Sequence, residues 1–228
     1  ATQAPVENDS FDNQYDALAQ VKAVGTENEI AEAMKTADTV VTVTKNIKPE
    51  NTLVADQKNV TLNMNGKTFE NTVDLWNEST ASWSLVSAQN GSSLTINGNG
   101  TFKAKENDCY AVDVQDGSSV VIKNGTFVGN IHAVYVLEGT AIIEGGTYSV
   151  QQKYPDAAKA DEFVLNCYDA NRANGTAKII VKGGTFINFN PADCKAEGEG
   201  TNFVADGYKV TSETKANGDV YYTVVKAN

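Results

Sequence analysis

A threonine followed by an aromatic ring, close behind one or two glycines, recurs five times in this chain. The units are Gly66-Lys67-Thr68-Phe69, Gly98-Asn99-Gly100-Thr101-Phe102, Gly125-Thr126-Phe127, Gly145-Gly146-Thr147-Tyr148 and Gly183-Gly184-Thr185-Phe186. Successive threonines lie 33, 25, 21 and 38 residues apart, a period near 21 to 25 with insertions in the first and last intervals. A repeat of that size belongs to an array in which each unit buries its apolar face against the next.

Ahead of each motif the residues alternate as a strand buried on one face does. Leu62/Met64, Leu94/Ile96, Val120/Ile122, Ala141/Ile143 and Ile179/Val181 are expected to point inward. The glycines permit the positive φ of a sharp corner. Beyond that corner Phe69, Phe102, Phe127, Tyr148 and Phe186 should stack as an interior column. A second strand precedes each ladder, over residues 84–89, 111–115 and 132–137. A propeller needs about 40 residues per blade, which the 21-residue interval excludes, and the leucine spacing of a leucine-rich repeat is absent. Two to three short strands per turn describe a parallel β-helix.

The pattern resembles the right-handed single-chain parallel β-helix family, the superfold shared by pectate lyases and phage tailspikes, over residues 37 to 207. Thr26-Glu27-Asn28-Glu29 reads as a capping box opening a short helix with Ile30, Ala31, Ala33 and Met34 on its apolar face. Strands at 40–43 and 53–54 follow, and the whole stretch from Thr26 to Phe69 is similar to the opening of many bacterial and phage β-helices. At the other end Asn217-Gly218 joins strands 208–213 and 220–225, a hairpin signal. The stretch from Gly184 to Tyr208 resembles the ends of β-helical proteins from gut bacteria and their phages, including head-fibre proteins. The expected fold is all-β: a solenoid over residues 25–228, closed by a helix at one end and a hairpin at the other. Residues 1–24 are expected to form an arm, weakly helical from Tyr15 to Val24.

The net charge of −11 repels phosphate backbones, so nucleic acid is not an expected partner. No apolar run approaches the roughly 20 residues of a membrane span, and Ala1-Thr2-Gln3-Ala4-Pro5 lacks the charge and apolar core of a signal peptide. Cys109, Cys167 and Cys194 have no metal-type spacing and cannot all pair within one chain. They are expected to be reduced and structural, with Cys109 and Cys167 in equivalent packing positions.

The family's polysaccharide-cleaving chemistry requires catalytic sets that this sequence lacks. Gly-His-Gly and Arg-x-Lys, which accompany the paired acids of polygalacturonase-type hydrolysis, are missing. The calcium cluster of a pectate lyase fails at Asp113, whose neighbours in the adjoining units are Ser87 and Tyr135. His132 reads as a lone surface or rim histidine, and Arg172 lies in a turn. No cofactor or metal is expected.

The first expectation is a non-catalytic structural or adhesion protein of a phage virion (head-fibre, decoration or tail) or of a bacterial cell surface. Its expected partners are surface glycans and other virion or surface proteins. Tyr110, Asp113, His132, Tyr135 and Tyr168 share an outer face where rings and hydrogen-bonding groups could hold a sugar, and Trp76 and Trp83 could act likewise. Asn63, Thr95, Val121, Ile142 and Ile180 are expected to point outward. The apolar Val121, Ile142 and Ile180 should be covered, by the insertion Ser149–Glu162 or by a subunit interface of the kind seen in homotrimeric fibres. The alternative is a polysaccharide lyase or glycoside hydrolase of the pectate-lyase-like type, with Asp108, Asp113, His132 or Lys153 as candidate catalytic groups.

Overall fold

A computed structural model describes residues 20–153 and 163–228. The chain winds through three sheets in a fixed order, so neighbouring strands in any sheet come from successive turns. The first sheet holds β1 (Gln20–Val24), β2 (Thr39–Val43), β4 (Val60–Asn63), β7 (Ser93–Asn97), β10 (Ser118–Ile122), β13 (Gly139–Ile143) and β16 (Ala177–Val181). The second holds β5 (Thr68–Glu70), β8 (Thr101–Lys103), β11 (Thr126–Gly129), β14 (Thr147–Val150) and β17 (Thr185–Ile187). The third holds β3 (Leu53–Ala55), β6 (Ser84–Ala88), β9 (Tyr110–Val114), β12 (Val134–Val136) and β15 (Leu165–Cys167). All pairings among these strands are parallel, which is the parallel β-helix that the repeat predicts.

Each Thr-aromatic motif begins a strand of the second sheet, and the five rings form the expected column. Phe102 and Phe127 stack at 4.8 Å, Phe127 and Tyr148 at 5.1 Å, and Tyr148 and Phe186 at 4.9 Å, while Phe69 meets Phe102 edge-on at 5.5 Å. The Tyr148 hydroxyl donates to the Gly145 carbonyl at 2.7 Å, so the one polar atom in the column is satisfied.

The register of the first unit differs from the expectation. Val60 pairs with Leu94 and Leu62 with Ile96, so the inward pair is Val60/Leu62. Met64 lies past the end of β4, and its buried side chain fills space that Gly100 leaves, where an added Cβ would come within 2.3 Å of the Met64 Cβ. The outward neighbour of Thr95 is accordingly Thr61, and Asn63 pairs with Asn97. Thr95, Val121, Ile142 and Ile180 do align as one outer column of the first sheet, each half-buried.

Both ends are closed. Helix α1 (Glu27–Met34) is capped by Thr26, whose Oγ1 accepts from the Glu29 amide at 3.2 Å and donates to its carboxylate at 2.8 Å. Ile30, Ala33 and Met34 turn into the core. Residues 20–24 form the strand β1 rather than helix: Val21 pairs with Val40 and Val24 with Val43, and sheet pairing outweighs weak helical propensity. The remainder of the expected arm lies outside the described residues. At the far end β18 (Tyr208–Thr214) and β19 (Val220–Lys226) form the antiparallel hairpin, which extends the second sheet through β17. Phe189, Cys194 and Phe203 are buried in the stretch between β17 and β18. Arg172 sits in a short helix, α2 (Asp169–Asn174), rather than a turn. It binds the buried Glu197 at 3.0 Å, and Glu197 also accepts from the Cys167 amide at 2.7 Å.

Candidate functional site

The 33-residue interval between Thr68 and Thr101 places an insertion between β5 and β6. β6 and β9 are buried along their whole length, whereas the middle residues of β12 and β15 are half-buried. Residues 71–83 supply the cover. Gln115 donates to the Ala81 carbonyl at 2.8 Å, and Trp76 meets Tyr110 edge-on at 5.8 Å. Within the insertion Trp76 is held by its own amide, which donates to Asp74 at 2.8 Å. Asn77 accepts from both the amide and the hydroxyl of Ser79.

The edge of this cover meets the uncovered part of the third sheet at a cluster of rings. Trp76 and Trp83 lie 6.3 Å apart, Tyr110 and Tyr135 5.1 Å, Tyr110 and His132 4.7 Å, and His132 and Tyr135 5.4 Å. Trp76, Trp83, Tyr110 and Tyr135, with Glu78, line a depression of about 360 Å³. Trp76 also walls a second one of about 350 Å³, lined with hydrogen-bonding side chains including Asn51, Thr52, Asn77, Thr80 and Ser82, and with Glu50 and Asp74. Together they make a groove with an aromatic half and a polar half, divided by one tryptophan.

Of the residues expected on this face, Tyr110, His132 and Tyr135 come together and only Tyr135 is half-open. His132 is a correction, for it is buried rather than at the surface or rim. A tight bend leads into it, where a Cβ on Gly129 would lie 1.7 Å from the His132 carbonyl oxygen. Nδ1–H donates to the Phe163 carbonyl at 2.8 Å, and Nε2 accepts from the Asn166 amide at 3.2 Å, leaving no nitrogen for substrate. Burial pulls its pKa down to about 4, so the ring is neutral.

Asp113 pairs with Ser87 and Tyr135 in register, as the repeat predicts, but it is fully buried. Burial pushes its pKa up to about 6, against hydrogen bonds from Ser84, Gln115 and Ser87. Tyr168 is exposed at the start of α2, outside the ring contacts of the cluster. Asp108 is exposed in the loop before β9, with its amide on Asn130, and Lys153 lies near Asp219 of the hairpin.

The three cysteines are free and buried. Cys109 and Cys167 are not equivalent, because Cys167 pairs with Val136 inside the third sheet whereas Cys109 precedes its strand. Burial, then Asp74 and Asp113, pushes the Cys109 thiol up to about 12; burial, then Glu197, does the same for Cys167. Such thiols carry no thiolate at neutral pH.

Among the described residues no group of three or more His, Cys, Asp or Glu is placed to hold a metal ion. No described helix is long and apolar enough to cross a membrane. The polar half of the groove, from Glu50 to Thr52 and Asp74 to Ser82, escaped sequence reasoning; the one signal, the length of the Thr68–Thr101 interval, marked residues 74–82 and gave no sign of Glu50 to Thr52. No protein-family model, curated protein or solved structure matches the chain. What the structure shows is the parallel β-helix architecture alone.

Proposed function

We propose that the chain is a non-catalytic β-helical rod of a phage particle or bacterial surface, and that the groove divided by Trp76 holds a glycan. One observation carries the reading: four half-open or shallowly buried rings beside a row of amide and hydroxyl groups. Sugar C–H faces pack on rings while ring hydroxyls need directional partners, and this groove offers both side by side. The histidine and the buried aspartate of the same face are engaged internally, which favours binding over turnover.

Affinity electrophoresis through a panel of bacterial and plant polysaccharides tests this. At least one should retard the protein, and Trp76→Ala should weaken retardation about tenfold or more, in line with the stacking area lost. Unchanged retardation in Trp76→Ala, with its fold intact by circular dichroism, would place binding elsewhere.

A second reading, glycoside hydrolysis, is favoured by Glu50 and Asp74 lining one depression, since paired carboxylates are the machinery of that reaction. New reducing ends from wild type that Glu50→Gln abolishes would establish it. The outer column of Val121, Ile142 and Ile180 is assigned by the first reading to contact with another copy, as a trimer, or with another surface protein. Light scattering should then give a mass above that of one chain, falling on Ile142→Lys; a strict monomer at all concentrations would remove that contact.

A further inference from the structure

We infer that the groove selects amine-bearing glycans, namely oligosaccharides of de-N-acetylated hexosamine, over their acetylated or uronate counterparts. This rests on the glycan reading above. The charged residues lining the two depressions are Glu50, Asp74 and Glu78, with no lysine or arginine among the lining residues. All three are exposed, and none forms an ion pair among the described residues. Two other clefts of this molecule differ: one of about 460 Å³ carries Lys103 and Lys105 beside Glu70 and Glu106, and another carries Arg172 and Lys178.

The rings supply a second and independent attraction for the same charge. The faces of Trp76, Trp83 and the two tyrosines present negative π-density, which draws an ammonium held within about 6 Å. A carboxylate rim and an aromatic wall are both repelled by a uronate and both attracted to a cation. Acetylation of the amine removes the charge and with it both attractions. The side-chain amides of Asn51 and Asn77 direct this chemistry to a sugar rather than to a simple quaternary amine, because their NH2 groups can donate to ring hydroxyls, while Thr52, Thr80 and Ser82 keep acceptor capacity beyond the bonds they make within the protein.

Isothermal titration of the full chain with tetramers of glucosamine, N-acetylglucosamine and galacturonate separates the possibilities. The glucosamine tetramer should bind about tenfold tighter than the acetylated one at low salt, and the gap should close as salt screens the rim. Galacturonate should give no heat. The double substitution Glu50→Gln and Glu78→Gln, at two exposed positions, should narrow the gap between the first two ligands severalfold, the remainder coming from Asp74 and the rings. Equal or tighter binding of the acetylated or uronate tetramer would overturn the charge selection and leave the groove as a glycan site. So would full preference for glucosamine in the double variant. Silence with all three tetramers, and with the polysaccharide panel, would overturn the glycan reading itself.

Discussion

Replacing Phe127 by alanine is expected to cost about 3–5 kcal/mol of folding free energy and to split unfolding into two transitions. Phe127 is fully buried in the middle of the column, with Phe102 stacked at 4.8 Å on one side and Tyr148 at 5.1 Å on the other. In a solenoid each turn contacts only its neighbours, so cooperativity passes through such interfaces one at a time. A void at this level removes the ring contacts of two interfaces, and the backbone ladders on either side keep the cavity from collapsing. Both tryptophans lie in the insertion before β6, on the N-terminal side of the lesion. In urea, tryptophan fluorescence should therefore report the N-terminal turns while far-ultraviolet circular dichroism reports the whole solenoid. The two curves should coincide in wild type and separate in Phe127→Ala. Coincident curves with a loss below about 1 kcal/mol would mean that the strand ladders, not the rings, couple the turns.

The same stacking explains what the sequence could reveal. A column of identical contacts imposes identical residues, so Phe102, Phe127, Tyr148 and Phe186 advertise themselves at fixed positions. The pairing of Asp113 with Ser87 and Tyr135 followed from that periodicity alone. It misled where a corner differs in shape: Met64 resembles a ladder residue by alternation, yet it packs into the space beside Gly100 while Val60 takes the ladder position. His132 illustrates a second limit. Nothing in Asn130-Ile131-His132-Ala133 indicates that Phe163 and Asn166, more than thirty residues on, will occupy both ring nitrogens. The groove illustrates a third, because an insertion has no repeat to be read against, and its polar wall exists only once residues 71–83 fold over β6 and β9.

Asp113 and His132 should give the fold two opposed pH dependences within one window. For Asp113 the folded pKa of about 6 exceeds the ordinary 3.8, so the native state holds its proton more tightly than the unfolded chain does. Its contribution to stability is present at low pH and is lost as pH rises through 6. For His132 the folded value of about 4 lies below the ordinary 6.5, so between these limits the unfolded chain binds the extra proton. Its contribution is present above 6.5 and is lost as pH falls toward 4. Each displacement is worth about 3 kcal/mol, and the two nearly cancel in wild type between pH 7 and pH 4. Removing either group should expose the other. Relative to wild type, Asp113→Asn should lose about 3 kcal/mol on going from pH 7 to pH 4, and His132→Gln should gain a similar amount. Urea midpoints at pH 7, 5.5 and 4 measure this, and the comparison is internal because all other carboxylates are common to the three proteins. What matters is the change with pH, since each substitution also shifts stability by a constant through altered hydrogen bonding to Ser84, Gln115 or Asn166. Parallel profiles for all three proteins would mean that water reaches both groups and that neither is buried as the third sheet requires.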